Sequence, residues 1–387
     1  MTDETTTAVQ VPSDPLKLPL KLKPRFVQRL WGGGALPAFH GATGADKPLE
    51  AADTPIGESW LLGDDNEIAG GPLNGRLLKD LAERYGAELL GTANTERYGN
   101  KLALLAKFLD AKLDLSVQVH PDDAYALSHE RESGHLGKAE AWYVLTAEPG
   151  ASVLWGFARD ATAAVVRSAI QDGRLESLLN RLPVSAGDVV VNPAGMVHAV
   201  GAGVMLFEIQ QASDLTYRLY DYDRRDAEGK PRELHIEKSL DVAQLARSDV
   251  SRMPGRVRHE PLTAESAAAA QPQRQRGGSW RRLVEVPEFV MDVVELGGDH
   301  AEGDADVDAE GVISDATSAE SLELLVLTRG EVTVCAKAAG GAAKDVAETC
   351  VTMRRSDAVL LAATLGSYTI SGSGEVLRCA IVKAAGS

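Results

Sequence analysis

Nitrogen and oxygen donors of the kinds that bind a divalent metal occur in three separate stretches of this sequence. In the first, strand periodicity places Gln118 and His120 on one face of an otherwise apolar run. In the second, Glu140 opens an apolar run and shares one side of the predicted strand with Lys138. In the third, His198 follows a Pro-x-Gly turn at the end of another strand. Zinc accepts amide, imidazole and carboxylate donors, so the sequence predicts a metal site assembled from distant segments.

Short strands must position most of these donors. Apolar runs bounded by glycine turns recur from about residue 20 to 245 and again from about 283 to 382. Helical spacing interrupts the first set in two insertions, at about 73–95 and 160–182. The strands do not alternate regularly with helices, which favours a barrel or sandwich over a parallel α/β sheet. We therefore predict a mainly β protein, with a barrel that carries helical insertions and a second, smaller β-domain.

Composition suggests where the domain boundaries lie. Residues 1–16 are rich in Thr, Asp, Glu and Pro and are expected to be flexible. A catalytic domain would extend over 17–255. Residues 256–280 contain an alanine run followed by Gln and Arg residues, with prolines as breakers, and are predicted to form a linker. The second β-domain would then comprise 281–387.

Charge and hydropathy exclude several kinds of partner. Forty basic and 56 acidic residues give a formal charge of -16, which would repel nucleic acid and anionic membrane surfaces. The sequence has neither an apolar run of 18 residues nor a basic and then apolar leader at its start. We therefore predict a cytoplasmic protein, monomer or homodimer, that binds neither nucleic acid nor membranes and takes a small molecule as its partner.

The three cysteines are all in the C-terminal part of the sequence. Cys335, Cys350 and Cys379 are separated by 15 and 29 residues, which fits neither a metal knuckle nor a disulfide framework. We interpret them as small core or surface residues.

Several longer motifs resemble a known family. Residues 187–198 match the second cupin motif, which is Gly, five residues, Pro-x-Gly, two residues and His, although Ala202 stands where cupins usually have asparagine. More narrowly, the chain resembles the type I mannose-6-phosphate isomerases of the short bacterial form, within the cupin superfamily. The segments that carry this resemblance are 24–33, 56–60, 115–123, 137–142, 193–198 and 208–224. It is good over about residues 17–245 and loose over the last domain.

The resemblance implies a cupin-type jelly-roll barrel that binds one Zn2+ per chain. The implied zinc ligands are Gln118, His120, Glu140 and His198. It also implies an active-site arginine at Arg218 and a sugar pocket lined by Lys138 and Glu208. Ser116 and Arg224 are the candidates for binding the phosphate. The implied reaction interconverts mannose 6-phosphate and fructose 6-phosphate by moving a proton between C1 and C2 through an enediolate.

That reaction needs a base for a carbon-bound proton and groups that stabilise negative charge on oxygen. Zinc and Arg218, which is always cationic, are suited to the second task. Glu208, Lys138 and a water held by the metal all remain candidates for the base.

Two other classes of protein share part of this pattern. Two histidines and one carboxylate also bind iron in non-haem cupin oxygenases, although Gln118, Lys138 and Arg218 favour a redox-inert zinc and a charged sugar. A non-catalytic cupin that only binds sugar phosphates would retain the same pocket. The intact set of ligands argues against it, and an activity measurement distinguishes the two.

Overall fold

The computed structural model describes residues 14–41, 55–225, 228–252, 273–275, 278–297, 311–337 and 349–381. Strands β1 to β20 are, in chain order, Leu20–Leu22, Arg25–Gln28, Ile56–Leu62, Leu104–Ala111, Val117–Val119, Glu140–Ala147, Ser152–Phe157, Leu179–Pro183, Val189–Asn192, His198–Val200, Val204–Gln211, Tyr217–Tyr220, Gln273–Gln275, Gly278–Glu285, Val290–Leu296, Gly311–Ala316, Glu323–Ala336, Thr349–Arg354, Ala358–Leu361 and Ser367–Ala380. Helices α1 to α7 are Leu36–Phe39, Leu78–Tyr85, Ala87–Leu90, Thr92–Tyr98, Asp123–His129, Ala163–Gln171 and Ile236–Val242. Short 3₁₀ turns occur at Pro15–Lys17, Arg131–Ser133, Leu175–Leu178 and Val250–Arg252.

Two antiparallel sheets form the barrel in the N-terminal part of the chain. The six-stranded sheet has the order β2-β3-β4-β11-β6-β9, and the five-stranded sheet has the order β12-β5-β10-β7-β8. Side chains from both sheets, including Leu109, Trp142, Trp155 and Leu206, form one buried cluster between them. The predicted mainly β fold of cupin type is therefore confirmed.

The outer face of the six-stranded sheet is covered as well, so β11 is buried along its whole length. Phe207 and Ile209 point outward from this strand into a second apolar cluster, whereas Leu206 points into the barrel, as the period of two requires. The outer cluster includes Leu78 of α2 and Leu324 of the C-terminal part of the chain. Glu208 and Gln210 therefore share the side of β11 that faces the interior of the barrel.

Helices occur in both regions where the spacing predicts insertions. The first region contains α2, α3 and α4, and Gly91 ends α3 with a φ of 92°. A side chain at this position would also collide with the backbone of Glu320, at 2.2 Å from its carbonyl oxygen. In the second region α6 begins at an N-cap, Thr162, but the last residues of the predicted insertion form strand β8. Among the described residues, no helix is long and apolar enough to span a membrane.

The C-terminal part of the chain forms a nine-stranded sheet of order β1-β19-β17-β20-β15-β14-β13, in which β16 also pairs with β20 and β18 with β17. Strand β1 belongs to this sheet, because Leu20 is paired with Leu360. Residues 256–272 of the predicted linker, and residues 1–13 of the predicted flexible N-terminus, lie outside the described residues. The final residues of the predicted linker contribute to β13 and β14.

The cysteines differ from the sequence-based interpretation. Cys335 and Cys350 face each other on β17 and β18, with their Cα atoms 4.1 Å apart, and form a disulfide, whereas Cys379 is free and buried. The interpretation was wrong for Cys335 and Cys350, whereas Cys379 agrees with it. Spacing alone did not reveal the pairing, because it depends on the register between these two strands.

Candidate metal and substrate site

Three buried donors meet inside the barrel. His120 follows β5, Glu140 is the first residue of β6 and His198 is the first residue of β10. Their potential ligand atoms all lie within 4.8 Å of one another. His198 Nε2 is 3.0 Å from Glu140 Oε1, and His120 Nε2 is 3.3 Å from Glu140 Oε2. Strand pairing places Gln118 opposite His198, and its Nε2 is 3.4 Å from His198 Nε2. The structure thus brings together all four predicted ligands.

Hydrogen bonds orient both imidazoles for metal binding. His120 Nδ1 is 2.9 Å from the Leu215 carbonyl oxygen, and His198 Nδ1 is 2.8 Å from that of Met196. Because a carbonyl only accepts, Nδ1 of each ring is the donor in these bonds, and Nε2 is the ring nitrogen that faces Glu140. Burial and the neighbouring Lys138 ammonium lower the pKa of His120 to about 3, which keeps that ring neutral.

Glu140 supplies the negative charge of the donor set. Burial opposes its ionisation, but the adjacent Lys138 ammonium outweighs that effect and holds the pKa of Glu140 well below its ordinary value. Its Oε1 accepts no hydrogen bond from the described residues, although it is fully buried. This buried carboxylate oxygen and His198 Nε2, 3.0 Å apart, are placed so that both could bind one cation. The residues therefore fit a divalent metal ion.

A cavity of about 540 Å³ adjoins the donor set. Its walls include five of the predicted site residues, namely Ser116, Gln118, Lys138, Glu208 and Arg218. Lys138 lies closest to the metal donors, with Nζ 3.0 Å from His120 Nε2 and hydrogen-bonded to Glu140 Oε2. Glu208 accepts a hydrogen bond from Trp142 Nε1 at 2.8 Å. Its other oxygen is therefore the one available to a further partner.

That partner is Lys107, which sequence reasoning missed. Its Nζ lies 2.9 Å from Glu208 Oε1 and 4.0 Å from Glu58 Oε1. Burial disfavours the ammonium, but these two carboxylates raise the pKa of Lys107, so it remains a cation inside the barrel. The available signal was a lysine in phase with Leu105 and Leu109 on β4. Periodicity did not indicate whether that face was the inner one.

Two guanidinium groups lie at another part of the cavity wall. Strand pairing places Arg218 opposite Gln118, and its Nη1 donates to the Glu233 carbonyl at 2.8 Å. Within the described residues Arg218 Nε is buried without a hydrogen-bond partner. Burial and the nearby charge of Arg232 lower the pKa of Arg218. Arg232, which the sequence analysis did not single out, also lines the cavity.

The structure does not bring Arg224 to the cavity wall. Its guanidinium pairs with the Asp221 carboxylate and donates to the Asp114 carbonyl. Arg232 binds the same carboxylate, with Nε 2.7 Å from Asp221 Oδ2. Both arginines follow β12 in irregular chain, where no periodicity indicates which of them turns inward. Arg232 therefore replaces Arg224 as the candidate for a substrate phosphate.

A barrel of two antiparallel sheets that encloses two histidines and a glutamate defines a cupin-type protein with a metal site. A family model described as the catalytic domain of type I phosphomannose isomerase matches residues 19–141. Mannose-6-phosphate isomerase ManA of Bacillus subtilis is 41% identical over 231 residues, which cover 59% of this chain and 68% of the relative. Mannose-6-phosphate isomerase of Streptococcus mutans is 40% identical over 233 residues, covering 59% of this chain and 69% of the relative.

Solved structures agree over most of the chain. The mannose 6-phosphate isomerase from Bacillus subtilis superposes with a TM-score of 0.71 at 26% identity, covering 94% of this chain and 99% of that one. A phosphomannose isomerase variant from Salmonella typhimurium shares the fold, with a TM-score of 0.65 at 16% identity over 94% of this chain and 99% of that one. The chain therefore belongs to the type I phosphomannose isomerases, a family of aldose–ketose isomerases.

Proposed function

We propose that this protein is a zinc-dependent isomerase that interconverts mannose 6-phosphate and fructose 6-phosphate. The observation that carries the proposal is the donor set His120, Glu140 and His198 beside a cation-lined cavity of about 540 Å³. A cavity of that size is in the usual range for a small-molecule site. The names of the two relatives that are about 40% identical to the chain support the same activity.

Gln118, His120, Glu140 and His198 would hold one Zn2+. When bound, the ion would act as a Lewis acid toward the oxygens of the sugar. The chain itself prepares the ligands, because two backbone carbonyls fix the tautomers of the histidines and Lys138 keeps Glu140 ionised. These features prepare the two histidines and Glu140 for a metal, whereas Gln118 would turn its amide oxygen toward the ion and Lys138 would move away from His120 and Glu140.

Cationic side chains would bind and orient the substrate. Arg218, next to Gln118 in the sheet, would stabilise negative charge on the enediolate oxygens. Arg232, held by Asp221, would bind the phosphate, with Ser116 as a further donor from the cavity wall. Remote binding of the phosphate would place C1 and C2 beside the metal donors.

Lys138 is the better placed of the two side chains that would move the proton between C1 and C2. Both oxygens of Glu208 are already engaged, by Lys107 and by Trp142. Among the described residues, Lys138 Nζ is hydrogen-bonded to two atoms of the metal donors, His120 Nε2 and Glu140 Oε2. We therefore assign proton transfer to Lys138, and we assign to Glu208 the role of holding Lys107 in the cavity.

A coupled assay on metal-stripped protein tests the proposed function. Fructose 6-phosphate formation from mannose 6-phosphate should be absent after chelation and should return when about one equivalent of Zn2+ per chain is added. Oxygen consumption by the protein loaded with iron in place of zinc, measured without sugar phosphate, is the control for oxygenase chemistry. Failure of zinc to produce isomerisation of either sugar phosphate would refute the proposal.

Replacing the two arginines of the cavity separately should give different kinetic changes. Arg218→Ala removes a cation that acts on developing charge, so we expect kcat to fall about a hundredfold to a thousandfold. Arg232→Ala removes phosphate binding, so we expect KM to rise about tenfold with a smaller loss of kcat. Arg225→Ala, an exposed arginine on the same segment, is the control and should leave both constants unchanged. Equal effects of the first two variants would contradict these separate roles.

A further inference from the structure

The segment that carries Lys138 precedes β6 and is held mainly by side chains. Each of three consecutive amides donates a hydrogen bond to a different residue. Gly137 N donates to Asp123 Oδ1 at 2.9 Å, Lys138 N to the Pro121 carbonyl at 3.0 Å, and Ala139 N to Gln211 Oε1 at 2.9 Å. The backbone on either side of Lys138 is therefore fixed by Asp123 and Gln211.

Gln211 holds the segment from two directions. Its backbone amide donates to the Ala139 carbonyl at 3.0 Å, while its side-chain oxygen accepts from the Ala139 amide. Its Nε2 donates to Asp123 Oδ1 at 3.0 Å, which connects the two residues that hold the segment. Gln211 is 3% exposed, so these hydrogen bonds are shielded from water.

Asp123 is itself fixed on its other side. Its Oδ2 accepts from Arg97 Nη2 at 2.7 Å, and Arg97 Nη1 donates to the Pro287 carbonyl at 3.2 Å in the C-terminal part of the chain. Space is also restricted, because a Cβ at Gly137 would lie 2.5 Å from Asp123 N. The segment therefore packs directly against the start of helix α5.

We propose that Gln211, together with Asp123, is a positioning residue that sets the location of the Lys138 ammonium beside the metal donors. Neither side chain lines the cavity of about 540 Å³, and both act through the backbone of residues 137–139. Glu140 depends less on them, because its strand pairs with β11 and β9 on both sides. Loss of Gln211 should therefore displace Lys138 more than it disturbs the metal site. This proposal rests on the proposed role of Lys138 in proton transfer.

The test compares Gln211→Met, which removes the three side-chain hydrogen bonds to Ala139, Asp123 and Tyr98 at similar volume, with Gln211→Glu, which retains an acceptor for Ala139 N. For Gln211→Met we expect kcat to fall about tenfold to a hundredfold, with KM and zinc affinity changed by less than about threefold. Gln211→Glu keeps the acceptor for Ala139 N but places a second carboxylate against Asp123, so it should recover only part of the lost kcat. Thr328→Val, which removes a buried hydroxyl that bonds to Glu375 in the C-terminal sheet, is the control for a general loss of stability and should retain kcat.

Amide hydrogen exchange of the peptide that covers residues 136–139 gives a measurement that needs no activity. Exchange there should become about tenfold faster in Gln211→Met and remain unchanged in Thr328→Val. If the wild type does not isomerise sugar phosphates but exchange is still faster in Gln211→Met, the proposed function is refuted. The positioning of residues 137–139 by Gln211 would still stand. Unchanged exchange, unchanged kcat, or a loss of zinc parallel to the loss of kcat would each overturn the positioning role.

Discussion

Replacing Glu140 with glutamine should abolish activity by removing the metal. Glu140 is the sole anion of the cluster of three donors, and it is fully buried, so water cannot replace its charge. A neutral amide binds zinc more weakly and also leaves the Lys138 ammonium without its carboxylate partner. We expect zinc affinity and isomerase activity each to fall by about a thousandfold or more.

Zinc content after dialysis and titration against a chelator measure this effect directly. Glu132→Gln, which removes one charge from an exposed loop, is the matched control and should bind zinc like the wild type. A Glu140→Gln protein that kept one tightly bound zinc per chain would remove Glu140 from the ligand set.

Replacing Lys138 with methionine should lower turnover as much as Glu140→Gln does. Unlike Glu140→Gln, it should not lower zinc affinity. The ammonium contacts the same His120 and Glu140 atoms that would bind the ion, so it competes electrostatically with a dication. Its removal should leave zinc affinity unchanged or higher. If Lys138 transfers the proton, kcat should nevertheless fall by about a thousandfold or more.

Exchange of the C2 hydrogen of mannose 6-phosphate with deuterium from the solvent separates proton transfer from binding. The exchange rate should collapse in Lys138→Met, whereas Glu208→Gln should retain a measurable fraction because it acts through Lys107. Lys112→Met, at an exposed position, is the control for loss of a surface charge. Rapid deuterium exchange in Lys138→Met with none in Glu208→Gln would mean that Glu208, and not Lys138, transfers the proton.

The sequence by itself determined the donor types and the strands that present them. Period-two spacing put Gln118 and His120 on one face, and the Pro-x-Gly turn placed His198 at the start of the next strand, as the structure has them. These features are local, because the dihedral angles of a strand or turn depend on the residues within it. They were sufficient to group these donors, whereas the cupin-type fold and the full ligand set were implied by the family resemblance of the longer motifs.

Only the tertiary structure decided which other polar residues enter the cavity. Periodicity states that Lys107 shares a side with Leu105 and Leu109, but the side that faces inward depends on the sheets that cover β4. The choice of Arg232 over Arg224 depends on how irregular chain folds around Asp221. The first outcome is set by packing between segments far apart in sequence, and the second by an irregular segment; the period-two spacing of strands carries no information about either.

The same reason applies to the pair Cys335 and Cys350 and to the anchoring of Lys138. The disulfide follows from the register of β17 with β18, and the hydrogen bonds of Gln211 follow from the approach of β11 to the segment before β6. The sequence contains every one of these side chains. Their partners exist only once the strands have paired and the barrel has closed.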